Sequence, residues 1–464
     1  MLSRRKFIRN VALGGGGLLL GAEAFGNFVI GKKPKVIIIG AGFAGLTAAY
    51  KLHQRKIDFV ILEARNRIGG RVFSHTIDAD EKLVVELGGE WVGNSHKRMI
   101  ELCDEFKLTL FDNYMNSRLI YKGEYFDKGK WGFSAAWEKK FEQMKADYRK
   151  LSDAGAKKLD KIDFWRHLVN NGCDGTDLEL KELLDSTDFG ESLRHVSAYA
   201  AIAEYADSDN TNEMDKKIKG GNDRLAYALK DAIGEDKIKL QHKVQKIEQG
   251  AKVKVTCTGG QVFDGDFIIC TIPTFSAKKI NWIPALPADT QLAMNELQYA
   301  RINKNASLYS ERFWKDESFD LVTDMPGHYF YHATKDQPSK KGVLISYAIG
   351  DKAPVVATQT DTWRADMINM SLKPAFGDTK QLLVKQEDYY WGADEYSKGA
   401  YAMYGVGQWF GIRPILLRPF LRTHFAGEHL ADWQGFMEGA IESGEAAAEA
   451  LIGKPKPVRR AAAA

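Results

Sequence analysis

Lys35-Val36-Ile37-Ile38-Ile39-Gly40-Ala41-Gly42-Phe43-Ala44-Gly45-Leu46-Thr47-Ala48-Ala49-Tyr50 is the stretch on which the fold turns. Val36 to Ile39 are apolar and β-branched, as in a strand buried on both faces, and they enter a G-x-G-x-x-G turn that opens an Ala-rich helical segment. Gly40 allows the tight turn, Gly42 lets the main chain approach a pyrophosphate, and Gly45 lets the helix pack against the strand. The helix N-terminus around Ala44 then offers free N–H groups and positive dipole to phosphates. A second apolar run, Phe59-Val60-Ile61-Leu62, ends at Glu63, 18 residues beyond Gly45, where a carboxylate accepts hydrogen bonds from ribose hydroxyls. Strand, turn, helix and acid together predict a dinucleotide site.

The segment that follows, Glu63-Ala64-Arg65-Asn66-Arg67-Ile68-Gly69-Gly70-Arg71, extends that site. A guanidinium at Arg71 grips a pair of pyrophosphate oxygens while Gly69 and Gly70 clear space; Ala64 and Arg65, in the same segment, are counted as cofactor-binding residues. Residues 83 to 93 read as a strand leading into Gly88-Gly89-Glu90-Trp91, and residues 94 to 212 as helices with charged faces, His167 and His195 among them as structural residues. A helix starts near Asn222 or Asp223 as N-cap. Leu240 to Ile247, Val253 to Val255 and Val262 alternate as a strand meander, and residues 266 to 270 form a buried strand. Arg301 to Tyr309 is a strand whose apolar alternation is broken by Lys304. After Phe425-Ala426-Gly427-Glu428-His429 a terminal helix opens at Met437, and its free N–H groups stabilise negative charge.

The chain has 464 residues, enough for two sizeable domains, with 44% hydrophobic and 11% aromatic residues. Net charge is 65 minus 61, or +4, and Arg4, Arg5, Lys6 and Arg9 supply four of the basic residues, so nothing points to nucleic acid. Those arginines, with Phe7, the weakly apolar run Val11 to Ala22 and Ala22-Glu23-Ala24, have the features of a twin-arginine signal peptide over residues 1–24. Export of the folded protein by the twin-arginine translocase to the periplasm is the expectation. Cys103, Cys173, Cys257 and Cys270 show neither metal spacing nor a disulfide pattern, and Cys257 and Cys270 read as core residues.

On these motifs the sequence resembles the flavin-containing amine oxidase family, over nearly all of residues 34 to 453. The resemblance implies an α/β fold: a Rossmann-like FAD-binding domain of the glutathione reductase type interleaved with an α+β substrate domain, monoamine oxidase-like. The FAD domain is expected from 34–105, 213–293 and 392–453, the substrate domain from 106–212 and 294–391, and a flexible tail from 454–464. It further implies that Gly88, Gly89, Glu90 and Trp91 run past the flavin ring, that Val244 clasps the adenine, and that Gly427, Glu428 and Met437 reach the cofactor. By the same likeness Lys304 holds a water against flavin N5, and Trp391 and Tyr401 lie against the flavin. Phe436 falls where many members have a second tyrosine, so that Tyr401 and Phe436 wall the substrate passage. Where monoamine oxidases bond a cysteine to the flavin this chain has Ala400, which implies non-covalent FAD.

The implied reaction is oxidation of a small-molecule amine to an imine by hydride transfer to flavin N5, then hydrolysis, with O2 as acceptor giving H2O2. A periplasmic electron carrier in place of O2 stays open, as does a homodimer. So do an L-amino-acid oxidase, a protoporphyrinogen oxidase, a desaturase and a non-catalytic flavin-binding protein. Residues 88 to 97 carry no arginine to clamp an amino-acid carboxylate.

Overall fold

The opening apolar run forms β1 (Lys35–Ile39), and Val36 to Ile39 are all buried, because helices or a second sheet cover both faces. In this computed structural model, which describes residues 33–207 and 215–452, β1 leads through the glycine turn into α1 (Phe43–Gln54) and then β2 (Asp58–Leu62). Gly40 has φ of +102°, a conformation that disfavours any side chain. A Cβ at Gly45 would lie 1.9 Å from the Gly40 carbonyl, so this glycine serves contact between α1 and its own leading turn rather than contact with the strand.

β1 is the middle of a parallel sheet completed by β3 (Ile238–Lys239), β4 (Phe267–Cys270) and, after a buried strand β5 (Ile302–Tyr309) of another sheet, β6 (Thr423–Phe425). The order is β6-β4-β1-β2-β3, with Ile38 level with Ile61 and Ile269. Strands from far-separated stretches thus meet beside the glycine turn. Cys257 and Cys270 are buried in strands. The terminal helix α2 (Met437–Ile452) crosses α1 so closely that a Cβ at Gly444 would sit 2.0 Å from the Ala44 carbonyl.

The predicted meander forms a four-stranded sheet of Val262–Gly265, Val253–Cys257, Val244–Gln249 and Asn281–Ile283. It begins at Val244 and not at Leu240, because the Gln241 and His242 N–H groups are taken by the Arg65 and Glu63 carbonyls at the end of β2. A seven-stranded sheet holds β5, buried at every position including Asn303, Lys304 and Asn305. Helices dominate 94–207 as expected, but Asn116–Tyr121 and Glu124–Phe126 form a hairpin, not anticipated from the sequence, on the edge of that sheet. Lys122 and Gly123, both at positive φ, make its tight turn. The signal peptide and tail expectations lie outside the described residues, among which no helix is long and apolar enough to cross a membrane.

Gly444→Val is expected to destabilise the protein by about 3 kcal/mol through overpacking at the α1–α2 crossing, read as a lower denaturant midpoint at unchanged slope. An unchanged midpoint would contradict the close approach.

Candidate active site

A cavity of about 670 Å³ runs from the glycine turn to β5, lined by residues of the far-separated segments that build the parallel sheet and by the helical stretch 187–205. Its nucleotide end is walled by Gly40, Gly42, Ala44, Glu63, Ala64, Arg65, Arg71 and Val244, all named from the sequence. Gly42 bridges to Gly69, and a Cβ at Gly70 would stand 3.1 Å from the Gly42 Cα, so the two glycine segments lie main chain against main chain. The Glu63 carboxylate accepts the Ala41 N–H at 2.7 Å and the Arg65 N–H at 2.8 Å, which fixes it at the tip of β2. Beside Val244 the ladder with 253–257 shifts register, a bulge that frees main chain at Gln245 toward the cavity it also lines.

Two cations in the wall are paired with acids. Arg65 makes a bidentate pair with Asp394 at 2.7 Å for each bond, and also donates to Ser397 Oγ. Its guanidinium ties the tip of β2 to the 394–397 segment and holds the Asp394 carboxyl well below the usual range. Arg71 pairs with Glu428, whose two oxygens also accept the Ala402 N–H at 3.0 Å and the Gly435 N–H at 2.8 Å. Arg71 and Glu428 both line the cavity, with Gly427 beside them.

At the other end lie Lys304, Trp391, Tyr401, Phe436 and Met437, together with Gly88, Gly89, Glu90 and Trp91. Gly88 is required by the protein itself, since a Cβ there would fall 2.2 Å from the Arg71 carbonyl oxygen. Trp391 is buried and gives its indole N–H to the Leu87 carbonyl at 2.7 Å, so it serves as a rigid wall. The Tyr401 hydroxyl donates to the Asp188 carbonyl, and Phe436 packs edge-on against His96 at 4.9 Å between ring centroids and against Trp433 at 5.8 Å. Each half of the expected aromatic pair is braced from its own side. His167 and His195 are not among the lining residues.

Lys304 departs most from its expected part. Its Nζ donates to the Glu86 carbonyl at 3.1 Å, the Gly88 carbonyl at 2.9 Å and Glu90 Oε2 at 2.8 Å. An ammonium has three N–H donors, and all three are spent on protein, so none is left to hold a water. The Glu90 side chain accordingly faces Lys304, and also accepts from Lys217 at 3.0 Å and from the Tyr331 hydroxyl at 2.5 Å. Lys217 and Tyr331 were missed in the sequence, and Asn222 was read there only as an N-cap candidate. Asn222 caps no helix; it donates to the Gly89 and Glu90 carbonyls and so holds the glycine pair in place. Asp188 and Glu204, also missed, bring carboxyl groups to the cavity; burial raises Asp188 to about 7, and the neutral Tyr205 hydroxyl donates to it at 2.8 Å.

The residues fit a flavin dinucleotide. The cavity joins a main-chain glycine cradle to a cationic, aromatic end, and Gln434 Oε1, buried in its wall, has no hydrogen-bond partner among the described residues. That acceptor is suited to a ligand N–H.

Glu86, close to this network, accepts from Ser74 Oγ and the Asn222 N–H, and burial is the main cause that raises its carboxyl from 4.5 to about 7. The fold thus holds this proton more tightly than the unfolded chain, so stability falls as pH rises from about 4.5 to about 7. Glu86→Gln is expected to flatten that part of the stability–pH curve in denaturant melts; an identical curve would contradict the raised value.

Residues 43–452 match the model of the family described as flavin containing amine oxidoreductase. The chain is 25% identical over 460 residues to amine oxidase [flavin-containing] B of Sus scrofa, covering 90% of this chain and 86% of that protein. It is 26% identical over 459 residues to amine oxidase [flavin-containing] B of Bos taurus, with the same coverage. In fold it is similar to wild-type putrescine oxidase bound to putrescine, at TM-score 0.81 and 22% identity over 91% of this chain and 100% of that one. Cyclohexylamine oxidase from Brevibacterium oxydans IH-35A gives TM-score 0.80 at 22% identity, over 90% of this chain and 99% of that one. With its FAD cradle and the match along almost its whole length, the chain belongs to the flavin containing amine oxidoreductase family and is an FAD-dependent amine oxidoreductase.

Proposed function

We propose that this enzyme oxidises a small amine to the imine with non-covalently held FAD, O2 or a periplasmic electron carrier then taking the electrons. The observation that carries this reading is the buried Lys304 ammonium at the aromatic end of a dinucleotide-long cavity. FAD supplies the acceptor for the hydride equivalent lost from the amine α-carbon. Gly42, Gly70, Glu63 and Arg71 would hold its nucleotide half, and Gly89, Gln434 and Met437 its ring end. Tyr401, Phe436 and Trp391 narrow the cavity and exclude water, which favours the uncharged amine, while Asp188 and Glu204 draw in its cationic form. Lys304 places a fixed positive charge where negative charge develops.

Non-covalent binding is supported by Ala400 in the cavity wall and by the absence of any cysteine among the lining residues. Export through the twin-arginine pathway is proposed on the Arg4-Arg5 leader alone.

Anaerobic mixing with a panel of primary, secondary and poly-amines is expected to bleach the yellow enzyme with at least one amine; bleaching by amino acids alone, or by nothing, would overturn the reading. Lys304→Met should slow reduction or reoxidation by at least about a hundredfold, close to 2.7 kcal/mol of barrier, and an unchanged rate would refute its role. Denaturation followed by filtration should release the flavin as free FAD. Flavin retained on the polypeptide would contradict non-covalent binding.

A further inference from the structure

Glu90 is the hub of a buried charge cluster. One carboxylate receives two ammonium groups, Lys304 on Oε2 and Lys217 on Oε1, and the Tyr331 hydroxyl on Oε2 as well. Lys217 is completed by the Ala333 carbonyl at 3.1 Å. Glu90, Lys304 and Lys217 are 2%, 2% and 3% exposed, so solvent screens none of the three. Lys304 is also ringed by aromatic faces, with Nζ 5.2 Å from the Trp91 centroid, 5.7 Å from Tyr347 and 5.8 Å from Tyr331. Carbonyl oxygens and π-faces attract a cation without contributing a compensating negative charge. Two cations against one anion leave a surplus of one positive charge.

We propose that Glu90 is a positioning residue which clamps Lys304 and Lys217 together, and that the single unbalanced positive charge of this trio, set in the cavity wall, raises the reduction potential of the bound flavin. Lys217 is not among the residues that line the cavity; it acts through Glu90 by cancelling the negative charge that would otherwise neutralise Lys304. Glu86, the other carboxyl beside the cluster, accepts from Ser74 Oγ and the Asn222 N–H, and burial raises its carboxyl; it is common to every variant compared below, so the differences among them report the trio. The inference rests on the flavin that the family carries and not on which amine is oxidised.

Charge bookkeeping distinguishes this from a merely structural cluster. Lys217→Met reduces the trio to zero net charge, Lys217→Arg keeps the surplus, and the double variant Glu90→Gln/Lys217→Met returns it by leaving Lys304 unpaired. Midpoint potentials of the three holoenzymes, measured by dye-coupled reductive titration, are expected to fall for Lys217→Met by at least 29.6 mV, a tenfold change for a two-electron couple. The Arg variant and the double variant should lie closer to wild type than Lys217→Met does. Equal potentials in all four proteins, or a double variant lower than Lys217→Met, would overturn the proposal. If Lys217→Met does not fold, Lys217→Gln is compared with Glu90→Gln/Lys217→Gln under the same criteria. The potential is read without any amine, so an enzyme inert to the whole amine panel would refute the functional reading and leave this result standing.

Discussion

A buried carboxylate that is matched in charge or hydrogen-bonded can fasten chain segments that lie hundreds of residues apart, and this cavity is fastened in that way throughout. Glu63 catches the main-chain N–H of Ala41 within the glycine turn and that of Arg65 just beyond β2. Glu428 joins Arg71, Ala402 and Gly435. Asp394 anchors Arg65, and Glu438 at the start of α2 accepts the Arg98 and Met99 N–H groups. Removing one partner of such a cluster costs far more than the interaction gained on forming it, because the remaining charge stays buried. The walls are therefore fastened as a set: Glu63 ties the glycine turn to the end of β2, Asp394 ties that end to the 394–397 segment, Glu428 joins Arg71 to residues 402 and 435, and Glu438 joins α2 to residues 98–99.

That fastening changes how Lys304 acts. A lysine with a free donor works by hydrogen bonding, whereas one with all donors on protein works through its field alone. Surrounded by Trp91, Tyr331 and Tyr347, its charge is little screened and reaches the cavity at full effect. The pairing with Glu90 would cancel that field, and Lys217 prevents the cancellation. The same logic places acidic groups, Asp188 and Glu204, in another part of the cavity.

What could be read from the sequence was local. β1, the glycine turn and β2 follow from period and composition, and Lys304 stood out because it breaks the apolar alternation of its strand and because the family resemblance puts a lysine there. The partners themselves were invisible: Lys217 and Tyr331 meet Glu90 only once two sheets have packed together. The pairing of Arg65 with Asp394 could not be read because the two lie 329 residues apart. The closeness of Gly88 to the Arg71 carbonyl was equally invisible, being a contact between segments. The hairpin at 116–126 was missed because its strands are short and charged residues interrupt their alternation.

The central claim is that one continuous cavity holds a flavin dinucleotide at both ends, with Glu63 and the glycine turn at one and the Lys304 cluster at the other. Titration of the flavin-depleted full-length protein with FAD and, separately, with FMN tests it most directly by fluorescence quenching. The account predicts one FAD per chain, bound at least a hundredfold more tightly than FMN, about 2.7 kcal/mol contributed by the nucleotide end. Equal affinity for the two would contradict it.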